Sequence, residues 1–326
     1  MENFLPITFK GNKQIPQNTN GLPSRVTKKK IKPTAPDNKP WPKISIVTAS
    51  FNMVDYIEET ILSVIEQEYP NLEYIIIDGG SKDGTADIIK KYEHYLTYWI
   101  SEPDKGLYDA LQKGLSKTTG EIMAYINSDD KYYPNAFFSI ATIFSAMDDV
   151  EWVLGRATFY NDEGTTVDVK DLKIWSKFNY YLGDYQWIQQ ESIFWRRSLW
   201  LKAGSNINPN LKLAGDYELW LRFFKYAKLF STQTVFAGFR FRTKDQLSLE
   251  KIDSYKYEIE QVTNLDTLPR EDKYAIKKIK FMQKFLFKIP FANRIKTLRR
   301  HYERIFGYPP KIVYDFYQRR FFKNYL

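Results

Sequence analysis

Between Lys43 and Tyr160 the apolar positions come in blocks, and the spacing within the blocks switches back and forth. Ile44 to Ala49 is a short, β-branched apolar run, the pattern of a strand buried on both faces. A stretch at helical spacing follows, from about Tyr56 to Gln67. "LEYIIID", Leu72 to Asp78, predicts a second strand, and "SKDGTADIIKKY" a helix that starts near Thr85. "YWIS" predicts a third strand, "KGLYDALQKGL" a helix, "EIMAYIN" a fourth strand, Asn135 to Met147 a helix, and "EWVLGRATFY" one more strand. This alternation predicts an α/β fold, a mainly parallel sheet with helices on both faces. Ligands of such sheets bind beyond the carboxyl ends of the strands. Three of the strands end in polar clusters, "TASFN", "DGGSKDG" and "NSDD", which are therefore expected to meet in one crevice.

Outside this block the texture changes twice. Residues 1–42 are polar, with scattered prolines and a "KKKIK" run, and read as a flexible lead-in. From about Tyr160 to Lys244 the pattern is irregular and rich in Trp and Tyr, and is expected to complete the sheet and wall the crevice. From residue 246 to 326, apolar and cationic positions recur at helical spacing, predicting a basic helical extension of an α/β domain that spans 43–245. "FGYPPKIVYDFY" within it reads as a short docking element.

Charge sharpens this division. The 326-residue chain carries a net +9, but unevenly. Residues 1–43 hold nine Lys/Arg against two Asp/Glu, and residues 270–326 hold sixteen against four, so the middle of the chain is net −10. A nucleic-acid binder would need its basic groove on the folded part, and no nucleic-acid partner is expected. There is no cysteine and there are only two histidines, which excludes disulfides, thiolate metal sites and a multi-histidine metal site. The N-terminus has no basic segment leading into an apolar run, and no apolar stretch approaches the roughly 20 residues of a membrane span. A cytoplasmic location is expected. The cationic, aromatic C-terminal helices suit an anionic membrane surface at its inner face, or else a bundle that packs its aromatics on the core.

The acidic residues gather where the strands end: Asp78, Asp83, Asp104, Asp129 and Asp130. Such a cluster repels a phosphate, yet binds one through Mn²⁺ or Mg²⁺, which prefers carboxylate and phosphate oxygens. The competing reading is that "SDD" is a turn and that Ser81 or Asp83 caps a helix. "IDGGSKDGT" is neither a dinucleotide fingerprint nor a phosphate-binding P-loop.

Six ordered stretches, "PKISIVTASFN", "EYIIIDGGSKDGT", "WISEPDKGLYDALQKG", "GEIMAYINSDDKYYPNAF", "IQQESIFWRRSLW" and "LAGDYELWLR", together resemble glycosyltransferase family 2 over about residues 42–245. The resemblance implies the Rossmann-like GT-A fold, a nucleoside-diphosphate sugar donor and inversion at the anomeric carbon. It matches Ala49, Ser50, Phe51 and Asn52 to the first nucleotide loop, with Phe51 against the base. Asp78 matches the carboxylate that reads the base, with Ser81 and Asp83 in the adjoining loop. Asp104, Lys105 and Gly106 match the loop closing over the nucleotide. "NSDD" matches the Asp-x-Asp metal motif with Asn127 in place of the first Asp, so that Asn127 and Ser128 face the donor and the metal falls to Asp129, with Asp130 beside it. Gln112 is a second departure, standing where the family usually has Asn. Asp216 matches the catalytic base, with Glu218 as second choice. The acceptor, a saccharide or a lipid-linked saccharide, is expected near Trp187, Gln189, Gln190 and Trp195, unless those tryptophans are core. Arg196 and Arg197 either reach a phosphate or form a solvated pair. The alternative to an active enzyme is a sugar-nucleotide-binding scaffold of weak activity, to which Asn127 points.

Overall fold

The β-branched runs read above form the centre of the main sheet. In the computed structural model, β1 (Ile44–Ser50), β2 (Leu72–Asp78), β3 (Tyr98–Ser101) and β4 (Ile122–Asn127) are joined through α1 (Ile57–Ile65), α2 (Thr85–Lys91) and α3 (Leu107–Lys117). The described residues are 34–35, 39–184, 188–242, 252–263, 267–285 and 296–325. The chain divides into two units, residues 1–33 and 34–326, and everything below concerns the second. Strand β1 pairs in parallel with β2 and β4, and β2 with β3. All seven residues of β1 are buried, as expected for a strand covered on both faces. Helix α3 lies on β1 closely enough that a Cβ on Gly114 would come within 2.4 Å of Val47 Cγ1.

Two features depart from a simple alternation. After β5 (Lys131–Tyr132) and α4 (Ala136–Ala146), "EWVLGRATFY" forms two strands instead of one, β6 (Trp152–Leu154) and β7 (Thr158–Tyr160). The break falls at Gly155, where a Cβ would meet Phe236 Cδ2 at 2.7 Å and the chain leaves one sheet for the other. Beyond β8 (Thr166–Val169) and α5 (Lys177–Tyr181), β9 (Ile193–Arg196) inserts between β4 and β6, antiparallel to both. With α6 (Arg197–Lys202), α7 (Gly215–Phe223), β10 (Phe230–Ser231) and β11 (Ala237–Arg240), two sheets result. The larger has the order β10-β6-β9-β4-β1-β2-β3, and the smaller β5-β11-β7-β8. The mainly parallel α/β expectation holds, with one reversed strand near the centre.

The Trp-rich stretch is core. Trp152, Trp195 and Trp220 are fully buried, with ring centroids 5.7 Å apart for Trp152–Trp220 and 5.9 Å for Trp195–Trp220. The folded unit also starts before residue 43. Trp41 packs edge-on against Tyr69 and Phe138, and its carbonyl accepts a hydrogen bond from Asn71 Nδ2. Residues 1–33 and 36–38 of the expected lead-in lie outside the described residues.

The extension is not wholly helical. Helices α8 (Ile252–Val262), α9 (Arg270–Phe285) and α10 (Lys296–Phe306) are followed by a hairpin of β12 (Lys311–Asp315) and β13 (Arg320–Asn324). Gly307, at φ 72°, ends α10, its N–H donating to the carbonyl of Glu303, the glycine stop that permits a left-handed turn. The hairpin covers the β10 edge of the large sheet through a bridge between Thr232 and Ile312, which shields an otherwise exposed edge. None of the described helices is long and apolar enough to cross a membrane.

Candidate active site

The carboxyl ends of β1, β2 and β4 lie side by side, with Ser50 opposite Asp78 and Ala49 opposite Asn127. Their loops are tied together by short polar side chains. Asp78 is fully buried. Its Oδ2 accepts from the N–H groups of Gly80 and Ser81 and from Ser101 Oγ, and its Oδ1 from Ser81 Oγ at 2.5 Å. A carboxylate has about four lone-pair sites, and the single donor on Oδ1 leaves that oxygen room for one more. Ser81 Oγ in turn accepts from the Asn52 N–H, and Asn52 Oδ1 from the Lys82 N–H. Asp83 accepts from the Val54 N–H and from both the N–H and hydroxyl of Thr85, so it ties the first loop to the start of α2, whose cap position is Gly84 rather than Ser81 or Asp83. Asp104 Oδ1 accepts from the Gly106 N–H at 2.8 Å, and the Lys105 N–H donates to Asp109.

Gly79 is the point where three loops touch. A Cβ there would lie 2.8 Å from Asp104 Oδ2 and 3.2 Å from Phe51 Cδ2. Phe51 is 57% exposed over this junction, as a ring available for stacking would be. The expected nucleotide-facing residues are therefore brought together.

The "NSDD" carboxylates go separate ways. Asp130 is fully buried; its Oδ1 accepts from the Arg240 N–H at 2.9 Å, and its Oδ2 has no hydrogen-bond partner. Burial, with Asp129 and Glu191 nearby, pushes its carboxyl well above the ordinary range, as expected for like charges crowded out of water. Asp130 is thus held in the packing through Oδ1, with Oδ2 left unbonded beside the Asp129 turn. Asp129 is partly buried, with Oδ2 in an ion pair with Arg242 Nε at 2.9 Å. Burial pushes Asp129 up as well, and the guanidiniums of Arg242 and Arg240 oppose it. Arg240 fastens the turn by donating to the main-chain oxygens of Asp129 and Asp162 and pairing with Glu59.

A divalent cation fits this donor set. Mg²⁺-type ions are commonly held by one or two carboxylates plus substrate phosphates. Asp129 supplies a carboxylate, and Asn127 Oδ1 and Ser50 Oγ are buried polar atoms without a hydrogen-bond partner at the same strand ends. Among the described residues no three acidic or histidine side chains form a closed metal cage, so a bound diphosphate would have to complete the coordination.

Asp216 occupies the first turn of α7. Its Oδ1 accepts from Tyr108 Oη at 3.3 Å, while that hydroxyl also donates to the carbonyl of Leu213. Burial raises the Asp216 carboxyl to about 6, against the hydrogen bonds from Tyr108 and its own helix. Glu218, the second choice, is taken. Both of its oxygens pair with Arg222, at 2.8 Å each, and Arg222 also holds Asn206 and the Ala203 carbonyl. Positions two apart on a helix start point apart, and the two carboxylates are divided accordingly.

Two carboxylates escaped the sequence reading. Glu191 lies just before β9. Because β9 runs antiparallel to β4, its beginning lies at β4's carboxyl end, beside the acidic cluster. Glu191 is buried, its Oε1 has no hydrogen-bond partner, and burial, with Asp129 and Asp216 nearby, lifts it to about 8. Glu258 on α8 accepts from the main-chain N–H groups of Lys212, Leu213 and Ala214. It thereby fixes the chain that leads into Asp216 from an element remote in sequence. "QQES" did contain the first signal, an acid among apolar residues; nothing local marks the second.

The expected acceptor side fares differently. Trp195 is core, and Trp187 lies outside the described residues. Gln189 is buried and bonds Thr158 through both its oxygen and its nitrogen. Gln190 is half-buried and remains a candidate. Arg196 and Arg197 neither reach a phosphate nor form a solvated pair. They lie at the amino end of β4, away from the crevice, bonding Glu121 and the carbonyls of Val150, Phe144 and Gly120. Gln112 accepts from the Ile207 N–H at 2.8 Å, a tie between α3 and the loop before α7.

This geometry can be set beside known proteins. A family model described as "Glycosyl transferase family 2" matches residues 45–205. An uncharacterized glycosyltransferase of Mycobacterium tuberculosis (strain CDC 1551 / Oshkosh) is 30% identical over 183 residues, which cover 56% of this chain and 68% of the relative. The putative teichuronic acid biosynthesis glycosyltransferase TuaG of Bacillus subtilis (strain 168) is 40% identical over 96 residues, 28% of this chain and 37% of that protein. Staphylococcus aureus TarS residues 1–349, solved in complex with UDP-GlcNAc, superposes with a TM-score of 0.57 at 17% identity, over 80% of this chain and 78% of that one. That likeness concerns the fold. The matched family, the relatives and the ordered strand-end motifs agree: the chain belongs to glycosyl transferase family 2.

Proposed function

We propose that this glycosyltransferase moves a sugar from a nucleoside-diphosphate sugar to a hydroxyl of a saccharide or lipid-linked acceptor in polysaccharide or glycoconjugate synthesis, with inversion. The donor expectation follows the three tied loops around Gly79, and the UDP-GlcNAc bound by TarS is a donor of this kind. The polysaccharide context follows the teichuronic acid role in the TuaG name. The transferred sugar is a hexosyl or N-acetylhexosaminyl group.

The observation that carries the reading is the unequal treatment of the carboxylates. Asp129 is ion-paired with Arg242, whereas Asp216 is buried against the Tyr108 hydroxyl with its carboxyl raised to about 6. A base works best with a pKa near the working pH, and Asp216 is suited to take the proton of the acceptor hydroxyl as that oxygen attacks the anomeric carbon. Tyr108, whose hydroxyl reaches Asp216 Oδ1, orients the carboxylate, and Glu258 holds the loop that aims it. Phe51 stacks on the base, and Asp78 with Ser81 shapes the loop that reads it. Asp129, with Asn127 beside it, would hold Mn²⁺ or Mg²⁺ together with the diphosphate. When bound, the cation stabilises negative charge on the leaving diphosphate. The transfer is a single displacement and needs no covalent intermediate.

The test is a panel of nucleotide sugars and nucleoside diphosphates, with and without Mn²⁺, read as thermal stabilisation. A ligand at about 100 times its Kd raises stability by about 2.7 kcal/mol. One donor class should stabilise the wild type, and Asp129→Ala should lose that stabilisation and the accompanying donor hydrolysis. Absence of stabilisation by every nucleotide, metal present, would sink the proposal.

A further inference from the structure

The C-terminal hairpin ends in a tip that the sugar-transfer reading does not use. Between β12 and β13 the chain turns through Phe316, Tyr317, Gln318 and Arg319. Phe316 is 82% exposed and Tyr317 is fully exposed. The turn is nonetheless built. Asp315 Oδ1 accepts from the N–H groups of Tyr317 and Gln318, at 2.8 and 3.0 Å, and Arg319 takes a left-handed φ of 51°. Tyr314 packs edge-on against both Phe316 and Phe321, at 5.2 and 4.9 Å. Two aromatic rings are thus held out into solvent by a turn of defined shape.

The hairpin behind the tip is two-faced. Strand alternation puts Ile312 and Lys323 on the inner face, where Ile312 is buried and Lys323 pairs with Asp149. The outer face carries Val313 opposite Phe322, and Phe322 and Arg320 are exposed. Arg319 and Arg320 follow the aromatic pair after Gln318, and Arg300 and Arg304 on α10 are exposed as well. Residues 270–326 hold sixteen Lys/Arg against four Asp/Glu, whereas the body of the domain is acidic.

We propose that the Phe316–Tyr317 tip is a membrane-docking element that inserts its rings at the interface of an anionic bilayer while Arg319 and Arg320 engage the lipid headgroups. Amphipathic aromatic rings sit at the headgroup level, and each cation near an anionic surface adds to the attraction. A second copy of the chain fits the tip less well. Stable protein interfaces bury about 800 Å² per partner, far more than two rings offer, and two tips of like charge repel. The tip extends the lipid-linked acceptor reading, and its test is separate from that reading because vesicle binding needs neither donor nor acceptor.

The experiment is co-sedimentation of the full chain with phosphatidylcholine vesicles, with and without phosphatidylglycerol, at low and high salt. Wild type should sediment with the anionic vesicles and release with salt. Phe316→Ala/Tyr317→Ala should weaken partitioning by about tenfold or more, from the apolar area withdrawn. Arg319→Gln and Arg320→Gln should each weaken it by about fivefold, the equivalent of about 1 kcal/mol per cation. Thermal unfolding and nucleotide stabilisation of these variants should match wild type, since the substituted side chains are exposed. Aromatic variants that sediment like wild type, or equal binding to neutral vesicles, would overturn the proposal. So would a concentration-dependent dimer that the same variants dissociate, because the tip would then be a contact between copies. Loss of nucleotide binding by wild type, with vesicle binding intact, would strike the donor reading and leave the tip standing.

Discussion

Arg242 Nε lies 2.9 Å from Asp129 Oδ2, so a guanidinium two residues past β11 neutralises the carboxylate expected to meet a cation. Removing one partner of a largely buried pair leaves the other charge poorly solvated. Arg242→Gln and Asp129→Asn should each destabilise by about 1–3 kcal/mol, and the double variant by less than the two together. A double-mutant cycle in urea measures this. Mn²⁺ with a nucleoside diphosphate should restore more stability to Arg242→Gln than the same pair adds to wild type, because the cation replaces the lost guanidinium; equal gains would mean that Asp129 does not meet the metal.

As the proposed base, Asp216 should set the acid limb of the reaction. Burial raises its carboxyl from 3.8 to about 6, so the base is protonated at low pH. kcat/KM should climb about tenfold per pH unit below 6 and level off above it. Asp216→Asn should lose roughly 10²–10⁴ in rate. Stability runs the other way. The folded state holds this proton more tightly than the unfolded one, so folding loses stability as pH rises from 3.8 to about 6. Asp216→Asn removes that loss and should unfold no lower than wild type at pH 7.5. A marked fall in its melting temperature would instead give Asp216 a structural role.

Gly79 joins the Phe51 ring, proposed to stack on the base, to the Asp104 loop, proposed to close over the nucleotide. A Cβ there would meet Asp104 Oδ2 at 2.8 Å and Phe51 Cδ2 at 3.2 Å. Gly79→Ala should raise the Kd for the nucleoside diphosphate about tenfold, the equivalent of about 1.4 kcal/mol, while the melting temperature moves little. Titration calorimetry on the two proteins decides the point.

Glu73 fastens the amino end of the sheet, far from the chemistry. Burial alone would raise it, but hydrogen bonds from Ser45, from the Thr119 N–H and hydroxyl, and from Lys43 outweigh burial and bring it down to about 2. Its contribution is complete above 4.5 and is lost as pH falls towards 2. Glu73→Ala should cost about 3 kcal/mol at pH 7, with a smaller difference from wild type at pH 3. Donor binding by the folded variant should be unchanged.

Much of the site was legible because its residues sit at predictable places on predictable elements. Strands buried on both faces are nearly all apolar, so the first polar residue after each one marks where the crevice must be. That rule pointed to Asp78, Asp104 and Asp129 as crevice residues without any contact being known, while Phe51 was matched through the family resemblance. The same rule could not tell Asp129 from Asp130. The difference is set by β11, which brings Arg240 and Arg242 to them from far along the chain. Trp195 and Glu191 show the limit most directly. Both belong to one short stretch, and only the antiparallel entry of β9 decides that Glu191 meets the acidic cluster while Trp195 joins the core.

The sequence by itself determined the parallel α/β frame, the order of its motifs and the family, since these rest on local periodicity and on short contiguous runs. Only the tertiary structure decided which acids carry charge. A carboxyl's state depends on burial and on neighbours supplied by other elements, here Arg242 for Asp129, Tyr108 for Asp216 and Glu258 for the loop ahead of it. The hairpin belongs to the same class. Its strands are too short and mixed to declare themselves, and they gain stability by closing the β10 edge, a partner that exists only once the sheet has formed.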